Sequence, residues 1–192
     1  MLPDVRAVAR ASRLAAVWTV LYALYRFYYA IGGTVGIPGI PSSMTQWRSI
    51  NAIAAGILFA TSILAIVLVK AWPHRRARPF LLALCWIITV ACVGHALIDI
   101  GQRIASLNGV LSIDYPFWRA IDRRAADLQD LFFNEPWFFI EGVLWASIAW
   151  VGALRESPRR WWWIGSAAAA TIAATVIGLL SAFGIIGRMI IG

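Results

Sequence analysis

Charge is scarce in this sequence, and so is cysteine. Charged residues make up 14% of the 192, against about 25% in a soluble domain. So few charges cannot cover the surface of a water-soluble globule. Only Cys85 and Cys92 are present, both in one apolar run. Their spacing puts them on one helix face, too far apart to bridge to each other. There is no C-x-x-C and no Cys/His metal spacing, so the pair reads as small buried hydrophobes. G-x-S-x-G, H-E-x-x-H and a glycine-rich phosphate loop with its lysine are also missing. The expectation is therefore no metal and no cofactor.

What is abundant is apolar: 61% of residues are hydrophobic and the mean hydropathy is +0.74. Each bilayer crossing needs roughly 20 such residues. The chain divides into five expected spans at about 14–31, 50–69, 80–100, 136–154 and 162–186. Arg6, Arg10 and Arg13 precede the first run in the manner of a signal peptide. That run is too long, and Arg26 interrupts the region where cleavage would follow, so it is expected to stay as a span. The fold class is all-α: an integral membrane helical bundle in one domain, with about five transmembrane helices and one amphipathic interfacial helix.

The formal net charge of +8 does not point to nucleic acid, because the basic residues fall in short clusters between the apolar runs. The N-terminal tail and the loops after spans two and four carry ten basic residues, and the opposite side carries six. The positive-inside rule then places the N-terminus in the cytoplasm and the C-terminus outside, in a bacterial cytoplasmic membrane.

Between the first two spans, residues 32–41 hold four glycines and two prolines and cannot form a regular helix. A turn is expected there, with re-entry into the bilayer left open. The loop at 102–135 is too long to be idle. Within it Phe117, Ile121, Leu128 and Phe132 share one helical face while Asp127 and Asp130 point elsewhere, which predicts an amphipathic helix at 116–132. The last span spaces Gly165, Ala169 and Ala173, then Ala174, Gly178 and Ala182, by fours. Such small residues allow close packing within the bundle or in a homo-oligomer.

Ionisable groups inside spans are costly and raise a functional question. Arg26, His95, Asp99 and Glu141 all fall in the half of their spans nearer the exterior. His95 and Asp99 are one turn apart, and Arg103 continues their face. Arg26 needs an acid, with Glu141 or Asp99 the natural partner. Tyr22, Tyr29 and Asn51 enter the same level. The ligand-binding candidates are Arg26, His95, Asp99, Glu141, Tyr22, Tyr29 and Asn51, forming a pocket for a polar or anionic head group. The competing expectation is a set of structural ion pairs that lock the bundle. His95 and Glu141 are the catalytic candidates, as an acid–base pair.

Phe27 to Gly36 resembles an aromatic–aromatic–small–Leu–Gly–Gly motif closing a first span, and Asn134 to Gly142 resembles an acidic–Pro–Trp–aromatic motif opening a later one. Together they look like a family of small bacterial membrane proteins known only as a domain of unknown function. The family pattern departs here at Glu141 and Asn134, where Gly and Trp are expected. His95, Asp99 and the later Pro-Trp-Phe with Glu141 also resemble, over that stretch alone, the sterol isomerase and sigma-2 receptor group. The leading expectation is a non-enzymatic binding protein whose partners are the lipid bilayer and a small-molecule or lipid ligand. The alternatives are an enzyme acting on a lipid or isoprenoid, and a small transporter.

Overall fold

The computed structural model describes residues 5–74, 76–151 and 159–186. Residues 152–154 of the fourth expected span lie outside this set, as do Arg75, Arg155 and Arg188 from the charge count. The chain is mainly helical: α1 (Val5–Ala30), α2 (Met44–Ala71), α3 (Arg78–Leu107), α4 (Arg123–Gln129), α5 (Glu135–Ala149) and α6 (Arg160–Ala182). Helices α1, α2, α3 and α6 are long and apolar enough to cross a membrane.

Local chemistry sets the helix ends. Ser43 caps α2, its hydroxyl accepting from the Gln46 N–H at 3.3 Å. Pro79 sits in the first turn of α3, where a missing N–H costs nothing. Asp122 caps α4 through the Ala125 N–H at 3.0 Å. A π turn over Asp130–Asn134 then carries α4 without a break into α5.

The amphipathic helix expected at 116–132 forms only from Arg123 onward. Trp118–Ile121 is instead a strand, β2, paired antiparallel with β1 (Gly39–Pro41) from the glycine-proline segment. Gly39 faces Ile121, and any Cβ there would strike the Ala120 carbonyl. The Ser42 N–H to Phe117 and the Asp122 N–H to Pro38, both 2.9 Å, extend the ribbon at each end. Backbone pairing with a distant loop outweighed the local helical periodicity, because it satisfies the N–H and C=O groups of two segments at once. The orientation expected of the helix is also reversed. Asp127 is 2% exposed whereas Phe132 is 74% exposed.

Helix α1 packs antiparallel on α2, α5 lies between α1 and α3, and α6 runs along the outside of α3. The core is polarised along its length. At one end Val8, Leu68, Trp72, Leu82, Trp145 and Ile148 form a dry cluster. At the other, where α1 ends and α2 and α5 begin, polar side chains converge under the β-ribbon.

The small residues of α6 divide between two faces. A Cβ on Gly178 would lie 2.5 Å from Ile98 of α3, and Gly94 approaches Ala174. Gly165, Ala169 and Ala173 face outward, and Gly165 meets nothing within 4 Å. Gly178→Val is expected to destabilise the bundle by about 1–3 kcal/mol through overpacking, and Gly165→Val by less than about 0.5 kcal/mol. Thermal unfolding of the two variants in detergent tests the difference.

Candidate functional site

The polar end is organised by Arg103, in the last turns of α3. Its Nη2 lies 2.8 Å from Asp130 Oδ2 and its Nη1 3.2 Å from Asp127 Oδ1. Nη1 also donates to the Tyr115 hydroxyl at 2.8 Å. Tyr115 donates in turn to Asp127 Oδ1 at 2.7 Å, and Ser106 donates to Asp127 Oδ2 at 2.6 Å. Asp127 is therefore buried with both oxygens satisfied, as a buried carboxylate requires.

The network continues into α1. Asn134 donates to Asp130 at 2.6 Å and accepts from the Tyr22 hydroxyl at 3.0 Å. Tyr22 accepts from Arg26 Nη2 at 3.0 Å, and Arg26 Nη1 reaches Asn51 Oδ1 at 3.3 Å. Tyr22 also stacks on Trp137, which stacks on Trp18 at 4.1 Å between centroids. Aromatic contact and hydrogen bonding thus fix α1 against α5 together.

Beside this network lies a cavity of about 210 Å³. Tyr25, Tyr29, Trp47 and Trp118 supply aromatic wall, Arg26, Gln129 and Asn134 supply polar groups beside the Arg103–Asp130 pair and Tyr115, and Pro38 and Ile121 of the ribbon region close it. A larger groove of about 570 Å³ runs between Ser106, Arg123 and Asp127 and is open.

The expected site residues fall into three groups. Tyr22, Arg26 and Asn51 are joined, and Arg26 and Tyr29 line the cavity. His95 and Asp99 lie on another side of α5, with Nε2 3.9 Å from Asp99 Oδ2 and 3.8 Å from Glu135 Oε2. Glu141 stands apart. Its Oε1 accepts from Thr19 at 2.6 Å and Trp145 at 2.7 Å. The acid expected to pair with Arg26 is absent: no carboxylate lies within 4 Å of it among the described residues. His95 and Glu141 likewise share no hydrogen bond or ion pair among them, and neither lines the cavity beside Arg26.

Reasoning from sequence missed Asp127, Asp130, Tyr115 and Glu135. Asp127 and Asp130 were expected on the polar side of an amphipathic helix, away from its apolar face. The signal was the spacing of Asp127 and Asp130, three residues apart and so on one side of a helix. It became informative only once that side was known to face Arg103.

Removing Arg103 leaves two carboxylates uncompensated beneath the surface, so Arg103→Ala is expected to cost about 3 kcal/mol, with Arg103→Lys recovering less than half. Chemical unfolding measures both. Burial pushes the Tyr115 hydroxyl up from its ordinary range, and its hydrogen bond with Asp127 adds to this. A folded value above the unfolded one means that the stabilisation is complete below about pH 10 and is lost as pH rises through the folded value. Ultraviolet titration is expected to show one fewer late-ionising tyrosine in Tyr115→Phe. No family model, curated protein or solved structure matches this chain.

Proposed function

We propose that this chain is a multi-pass protein of the bacterial cytoplasmic membrane that binds a small anionic group beside Arg26. The membrane reading is supported by four long apolar helices and by their exposed faces. Ile53, Ile57, Ile63, Phe80, Ile87 and Ile172 are each more than 60% exposed. A surface so apolar belongs against lipid. The segment after β2 points the same way, since it buries Asp127 and presents Phe132. The basic clusters place the N-terminus inside, and the polar end with its β-ribbon then faces outward.

The observation that carries the binding proposal is Arg26. A guanidinium has five N–H donors and a permanent charge. Here its partners are two neutral side chains, Tyr22 and Asn51, and it borders a cavity walled by aromatics. Arg103, by contrast, is paired with two acids through Nη1 and Nη2. A carboxylate or phosphate entering the cavity would meet a guanidinium that has no carboxylate partner among the described residues, with Gln129 and Asn134 as further polar contacts. The aromatic walls suit a ligand with a short apolar portion. A lipid head group and a free metabolite share this chemistry.

Mass spectrometry of the lipids and metabolites retained by purified wild type and Arg26→Ala tests the proposal. An anionic species enriched on wild type and reduced at least tenfold in the variant is the expected result. Extraction into organic or aqueous phase separates the lipid source from the metabolite source. If both proteins retain the same species equally, or neither retains one, the proposal fails.

A further inference from the structure

His95, Asp99 and Glu135 bring one imidazole nitrogen and two carboxylate oxygens within 4.8 Å of one another. Helix α3 supplies the first two from successive turns, and the start of α5 supplies the third. Arg103 is committed to Asp127 and Asp130, so Asp99 and Glu135 have only His95 as an ion-pair partner among the described residues. The Glu135 side chain is 3% exposed, and its Oε2, directed at His95, has no hydrogen-bond partner. A buried carboxylate oxygen left this way is costly unless a cation or a proton meets it.

We propose that His95, Asp99 and Glu135 bind one divalent first-row transition ion, of the zinc class. Two carboxylates and a neutral imidazole balance a dipositive charge. The imidazole favours zinc, iron or manganese over magnesium and calcium, which prefer oxygen alone. Bonds of about 2.0–2.2 Å place tetrahedral donors about 3.4 Å apart. The two separations from the imidazole nitrogen, 3.8 and 3.9 Å, need to close by about half an ångström, and the two carboxylate oxygens lie within 4.8 Å of each other. The edge of Phe138, 4.7 Å between ring centroids, restrains the imidazole. The His95 side chain is 43% exposed, so the imidazole is not sealed inside the bundle. Three protein donors leave a position for water or an exogenous ligand, as in catalytic rather than structural zinc sites. Arg26 takes no part, so this site stands or falls separately from the anion cavity.

The test uses the full chain in lipid nanodiscs, without a polyhistidine tag, stripped by chelator and titrated with zinc chloride. One tightly held zinc per chain is expected, with affinity falling about 100-fold in His95→Ala and Glu135→Gln. His74→Ala, which removes the chain's other histidine, and Arg26→Ala are expected to bind as wild type. X-ray absorption at the zinc edge of the wild type needs no variant and is expected to show one imidazole with oxygen donors. Absence of stoichiometric zinc would mean that a proton shared by the acids meets Glu135, and would overturn the proposal. So would zinc bound with sulfur or two imidazoles, or zinc lost with His74.

Discussion

A single guanidinium, that of Arg103, holds the polar end of this protein in register. It draws Asp127 and Asp130 toward the last turns of α3 and anchors Tyr115. Tyr115 lies just ahead of β2, so the same interaction positions the strand that pairs with β1 and closes the cavity. Asp130 holds Asn134, and Asn134 holds Tyr22 of α1. The chain from Ser106 to Asn51 is thus one hydrogen-bonded network crossing four helices. In a low-dielectric setting such a network is rigid when complete and costly when broken at any member.

The π turn explains how one helix serves both candidate sites. A regular α-helix would carry Asp127, Asp130 and Asn134 along one face. The wider turn at Asp130–Asn134 rotates the start of α5, so that Asn134 reaches α1 while Glu135, the next residue, reaches His95 on α3. Both residues are buried. Isolated π turns recur at functional sites because they re-aim side chains in this way. Here the turn separates the cavity beside Arg26 from the carboxylate–imidazole cluster around His95.

Much of the bundle was legible in the sequence. Long apolar runs marked α1, α2, α3 and α6. Of the ionisable residues singled out on α1, α3 and α5, Glu141 lies buried and Arg26 and Asp99 half-buried, while His95 is exposed. Their grouping was not legible. Depth along a helix follows from residue number, but rotation about its axis does not. Glu141 sits at a plausible depth for Arg26, yet it faces Thr19 and Trp145. The ribbon was invisible for a related reason. Gly39–Pro41 and Trp118–Ile121 are three and four residues long, far apart in sequence, and neither has a period that announces a strand.

Sequence alone determined the class of this protein: a mainly helical chain with four helices long and apolar enough to cross a membrane. That much follows from local quantities, namely hydropathy, charge density and helix-breaking residues. Tertiary structure alone decided that Arg103 takes Asp127 and Asp130, that Arg26 is left with neutral partners, and that Glu135 joins His95 and Asp99. These are choices among several acids and bases of equal chemical merit. They are settled by which helix faces meet and by the rotation that the π segment and the β-ribbon impose.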